Sequence, residues 1–190
     1  MPNWVINKVR AANKADTEKL IALLTKKTDG DATVTNFNGV IPMPQELRDT
    51  PAAYGDDNDD RRSANLAKYG YHDWYDFAVS VWGTKWDGVE CNIDDGVIEF
   101  QTAWSIPYGI YREIAKTVPI IVAYADEDIG FNFGVFKLDA DGKDRIVIDG
   151  TDNQVASAIW GHYDFDPDEE PDGQEAYNGV LASVDEILYS

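Results

Sequence analysis

Polar and apolar positions change their spacing several times along the chain, and each change predicts an element. Residues 3–12 alternate around Trp4, Ile6 and Val9, which predicts a strand. Asp16 is then placed to cap a helix with Glu18 in its first turn. Leu20, Ile21, Leu23 and Leu24 form its apolar face, Lys26 and Lys27 suit its negative end, and Gly30 stops it. Residues 32–41 read as a second strand ended by Pro42 and Pro44. Residues 45–68 read as an excursion with acids at 56–60, the pair Arg61-Arg62 and helical character at Ala64–Lys68. Asp73 starts a helix through Trp82, with Trp74, Phe77 and Val81 on one stripe. Residues 89–93 and 96–104 flank Asp94-Asp95-Gly96, a hairpin turn signal. Pro107 opens a helix with Ile110, Ile114 and Val118 at four-residue spacing, Pro119 ends it, and residues 120–125 form a strand.

This order is β-α-β-(insert)-β-α-β, the ferredoxin-like split βαβ arrangement of the α+β class. It predicts a mostly antiparallel sheet carrying Trp4, Phe100 and Ile121, with helices 16–27 and 107–118 on one face. Two more strands, 131–138 and 144–149, follow around Asp141-Gly142. A short helix capped by Thr151 or Asp152 runs to Trp160. Residues 164–175 hold seven acids and no base, and Asp172 with Glu175 has the spacing of a capping box. The last helix buries Tyr177, Val180, Leu181, Val184 and Leu188. The expected organisation is a ferredoxin-like domain over 1–163, with a helical insertion at about 43–82, and an acidic segment plus C-terminal helix over 164–190 packed on the same domain.

Aromatic residues concentrate between Tyr69 and Pro107, where four of the six tryptophans fall: Trp74, Trp82, Trp86 and Trp104. Such side chains bury large areas, so all four are expected in the core. In Trp82-Gly-Thr-Lys-Trp86, Lys85 is expected to pack between indoles. A carboxylate, Asp76 or Asp87, would neutralise it, because buried charges are normally paired.

Charge changes the functional picture. The 190 residues carry 35 acids against 16 bases, a net charge of −19. Direct nucleic-acid binding by phosphate neutralisation is disfavoured, since it needs clustered Lys and Arg. An acidic surface keeps a protein soluble and steers a basic partner. The single cysteine, Cys91, excludes an intrachain disulfide and fits a reducing compartment. No N-terminal signal pattern and no apolar run of about 20 residues is present, so a soluble cytoplasmic protein is expected, with no membrane association.

Several motifs together resemble a known family. Met1-Pro-Asn-Trp4, Ile41-Pro-Met-Pro-Gln-Glu-Leu47, Trp74-Tyr-Asp76, Trp82-Gly-Thr-Lys-Trp-Asp87, Phe100-Gln-Thr-Ala-Trp-Ser105 and Tyr124-Ala-Asp-Glu-Asp-Ile-Gly130 are similar, in order, to the YubB ferredoxin-like family of phages and conjugative plasmids. The resemblance implies a ferredoxin-like domain on a mobile element, acting in a bacterial cytoplasm. It implies no activity and no catalytic residues. Val5 stands where members often have Cys, and Phe77 where they often have Trp, which marks both positions as core. The segment 164–175 lies outside the resemblance.

Chemistry-bearing patterns are sparse. His72 and His162 are the only histidines, too few for a metal site without further ligands, so no metal and no cofactor is expected. Cys91 has no flanking nucleophile signature. Asp139-Ala-Asp-Gly-Lys-Asp144 faintly resembles a calcium loop, but its glycine comes too early and Gly150 holds the twelfth place, so a hairpin turn is the better reading. The glycines make no phosphate loop.

The expected function is therefore a non-enzymatic interaction protein of a phage or plasmid. Its acidity suits a DNA mimic that inhibits a basic host defence or nucleic-acid-handling protein. Candidate binding residues are Trp82, Lys85, Trp86, Asp87 and Trp104, with Asp166, Asp168, Glu169 and Glu170 of the acidic segment. The alternative is a small enzyme or ligand-binding protein with a pocket near Lys85, Asp87 and Trp104.

Overall fold

The structure is a computed structural model that describes residues 2–52, 60–161 and 173–190. After β1 (Trp4–Ala11) and a 3-10 turn, the chain forms α1 (Thr17–Leu24), then β2 (Thr25–Lys27) and β3 (Thr33–Thr35). Four helical segments follow: α2 (Phe37–Val40), α3 (Gln45–Arg48), α4 (Asp60–Tyr69) and α5 (Trp74–Phe77), the last continuing as a π turn over Ala78–Trp82. The remainder is β4 (Val89–Asp94), β5 (Val97–Ala103), α6 (Tyr108–Ala115), β6 (Ile120–Asp126), β7 (Gly134–Leu138), β8 (Lys143–Ile146), α7 (Asp152–Trp160) and α8 (Gly173–Tyr189).

The main sheet runs β4-β5-β1-β6-β7-β8, every neighbour antiparallel. Its first four strands have the ferredoxin-like order. β1 lies at the centre, with Val9 opposite Ile98 of β5 and Val122 of β6. Strands β7 and β8 widen the sheet beyond β6. The central strands are buried on both faces, which explains the nearly continuous apolar run of β6. Val9, Ala11, Ile98, Phe100, Ile120 and Val122 face α1 and α6, which supply Leu20, Leu24, Ile110 and Ile114. Ile6, Val97, Ala123, Ala125 and Val135 face α7 and α8, which supply Val155, Ile159, Val180, Val184 and Leu188. The expected placement of the two helices on one face thus holds, as do strands at Trp4, Phe100 and Ile121, but the first helix stops at Leu24 and Thr25–Lys27, expected as its last turn, pairs as β2 with β3.

The expected second strand at 32–41 does not join this sheet. Residues 33–35 pair only with 25–27, and the chain then turns into α2. The cause is burial of Phe37, fully enclosed edge-on against Trp82 at 6.1 Å and Phe100 at 5.9 Å. Its backbone N–H donates to Asp87. The second strand of the split unit is instead β4.

The turn chemistry follows the sequence. Asp95 and Gly96 both have positive φ, 43° and 82°, as a two-residue type I′ hairpin turn requires. Asp139 accepts from the backbone N–H groups of Asp141 and Gly142, closing the β7–β8 turn rather than shaping a calcium loop. Thr151 caps α7 in a capping box with Gln154. The expected capping box at Asp172 and Glu175 begins outside the described residues.

Candidate functional site

The segment 82–87 is built residue by residue into a recess. Trp82, 6 % exposed, turns into the core between Phe37 and Phe77, and its indole N–H donates to the Ile41 carbonyl. Gly83 takes the left-handed conformation at φ 96°, which a side chain rarely adopts. A Cβ there would also lie 2.9 Å from the backbone nitrogen of Tyr108. Thr84, buried, donates to the Ala103 carbonyl, and the Ser105 hydroxyl donates to the Gly83 carbonyl. These bonds fasten the loop to the end of β5.

Lys85 is half-buried, and its ammonium lies 4.4 Å from the Trp86 ring centroid, 4.9 Å from that of Trp104 and 6.0 Å from that of Tyr75. The packing between indoles occurs as expected, but the second indole is Trp104 of the next motif and not Trp82. The expected neutralising carboxylate is absent: among the described residues no acid comes within 4.0 Å of Lys85. Asp87 is held by the Thr35 hydroxyl at 3.0 Å and the Phe37 N–H at 2.9 Å. Asp76 accepts from the His72 backbone N–H and meets its ring at 2.9 Å. Burial alone would raise Asp76. The hydrogen bonds from His72 and the charges of His72 and Arg62 outweigh it and hold the carboxyl below its ordinary value.

The expectation that all four tryptophans form core also fails. Trp82 is buried, Trp74 and Trp86 are half-buried, and Trp104 is 43 % exposed. Trp104 follows the last residue of β5 and has a left-handed φ of 65°. Its N–H donates to the Asn3 carbonyl and its carbonyl accepts from Asn132, so the surroundings hold a conformation costly for a large side chain.

Trp82, Lys85, Trp86 and Asp87 line one open cavity of about 370 Å³ together with Met43, Arg48 and Trp74. Trp104 completes the cluster through Lys85. Arg48 is the residue that sequence reasoning missed. It sits four positions past Pro44 in α3, and its only signal was proximity to the Ile41-Pro-Met-Pro motif. It is exposed and donates to the Asn38 side chain. The remaining candidates, Asp166, Asp168, Glu169 and Glu170, lie outside the described residues, as does His162. Cys91 stands apart from the recess in β4, where burial raises its thiol to about 11.

No group of three or more His, Cys, Asp or Glu side chains suited to a metal occurs among the described residues, and none of their helices is long and apolar enough to cross a membrane. The fold and the recess define an α+β protein of ferredoxin-like architecture with an aromatic, cationic site at one end of its sheet. Residues 81–170 match a family described as the ferredoxin-like domain in Api92-like protein. The match begins one residue before Trp82 and takes in β4 to α7. No curated protein and no solved structure matches the chain.

Proposed function

We propose that the chain is a non-enzymatic interaction protein of a phage or plasmid, and that its acidic surface occupies the basic, nucleic-acid-binding surface of a host defence or nucleic-acid-handling protein. The carrying observation is where the acids of a −19 chain gather. Asp94, Asp95 and Glu99 of the β4–β5 hairpin and Asp185 of α8 converge around Tyr189. Burial first, then these four charges, push its hydroxyl above its ordinary range. Acids from distant parts of the chain thus gather here, with Lys8 3.6 Å from Glu99 and with Arg10 and Lys14 in the adjoining groove. One oxygen of the recess carboxylate, Asp87, is held by the Thr35 hydroxyl and the Phe37 N–H. The ordered motifs similar to the YubB family support the mobile-element origin.

The test is capture of a partner from bacterial lysate, followed by association kinetics against salt. The Debye length shrinks from about 10 Å at 0.1 M to about 3 Å at 1 M, so a charge-steered association slows steeply while dissociation changes less. Duplex DNA should compete for the partner. Amide variants at Asp94, Glu99 and Asp185, and a separate set at Asp166, Asp168, Glu169 and Glu170, should slow association without loss of fold. Salt-independent association, or unchanged binding by both sets, refutes the proposal.

A further inference from the structure

The recess gathers two cations, one acid and an aromatic wall in a strongly acidic chain. We propose that it binds a nucleoside 5′-monophosphate, with the base stacked on the indoles and the phosphate held by Lys85 and Arg48. This inference is independent of the acidic-surface reading, since it uses none of the residues around Tyr189.

Lys85 and Arg48 both line the cavity, and neither has a carboxylate within 4.0 Å among the described residues. An ammonium over ring faces keeps donors free for an anion, and a guanidinium presents several N–H groups in a planar fork. Arg48 donates to Asn38, which positions it without neutralising it. The one acid of the recess, Asp87, has an oxygen already answered by a hydroxyl and a backbone N–H. Trp74 and Trp86, both half-buried, form the walls, and indole faces are good stacking surfaces for bases. The cavity of about 370 Å³ is of small-ligand size. The left-handed Trp104 beside Lys85 is a strained residue held in place, and such residues gather at ligand sites.

Net charge decides between a free nucleotide and a strand. A chain of −19 repels a polyanion over many phosphates, whereas a monophosphate brings one phosphate group. The shared chemistry is a base with a terminal phosphate, so a 5′-phosphorylated strand end is the other source to separate.

The experiment is calorimetric titration of the full chain with AMP, with adenosine, inorganic phosphate and a 5′-phosphorylated oligodeoxyadenylate as parallel arms. AMP should give saturable binding. Adenosine and phosphate, each lacking half of the recognised chemistry, should bind at least about tenfold more weakly. Lys85→Met and Arg48→Gln should each weaken AMP by about tenfold or more, while Lys85→Arg keeps most of the affinity. Arg48 is exposed, so its variant reports on binding even if the Lys85 variants disturb packing. An oligonucleotide equal to or weaker than AMP assigns the site to free nucleotide; one that binds tighter assigns it to strand ends, and both keep the base–phosphate chemistry. No saturable AMP binding, phosphate alone binding as well as AMP, or full affinity in Arg48→Gln overturns the proposal.

Discussion

Gly109→Ala separates helix propensity from tertiary geometry. Gly109 is the second residue of α6, where alanine normally gains up to about 1 kcal/mol over glycine. The structure reverses that sign. A Cβ at 109 would fall 1.8 Å from the Val81 carbonyl oxygen and 3.3 Å from that of Trp82, and real Cβ atoms do not approach within 3.0 Å. Both neighbours are backbone, so no rotamer change relieves the clash. The π turn and α6 must separate, which disturbs the seat of Trp82 and the loop carrying Lys85. Overpacking of this kind costs about 3 kcal/mol, the upper end of its range because neither side is flexible. Against the propensity gain, the net loss is about 2 kcal/mol. For a chain of 190 residues this lowers Tm by about 4–8 °C, measured by circular dichroism. Gly142→Ala is the control, since a Cβ there meets nothing within 4 Å, and its Tm should hold or rise. A Gly109→Ala Tm equal to or above the parent would refute the close approach of the turn to α6.

Two further outcomes are expected. Tyr111→Phe removes a fully buried hydroxyl that donates to Asn7 at 2.7 Å, leaving the Asn7 oxygen without that donor; thermal unfolding should show a loss of about 1–3 kcal/mol. Full stability in Tyr111→Phe would show the bond to be dispensable. Cys91, raised from 9.0 to about 11 by burial, stays a thiol at neutral pH, so its alkylation should be slow near pH 8 and accelerate toward pH 11. The stability that comes from keeping this thiol neutral is complete below about pH 9 and is lost as pH rises through about 11. Rapid alkylation of the folded protein at pH 7 would contradict that burial.

Local signals in the sequence decided much of the fold. Alternation in β1, the Pro107-to-Pro119 helix, the Asp94-Asp95-Gly96 turn and the Thr151 cap each rest on the conformational preferences of a few adjacent residues, and each is where the pattern placed it. The order of these elements was enough for the ferredoxin-like class, because short connections leave few ways to pair them. Segment 32–41 failed for the opposite reason: its fate depends on Phe37 meeting Trp82 and Phe100, residues 45 or more positions away. The candidate site divides along the same line. Tryptophans and a lysine in one motif announced an aromatic cluster around Lys85. Their spacing could not say that Trp82 turns inward, that Trp104 supplies the second ring, or that Asp87 is spent on Thr35 and Phe37. Nor could it bring Arg48 to the recess. Those facts are contacts across the chain, set by which side chains fit together once the sheet has formed.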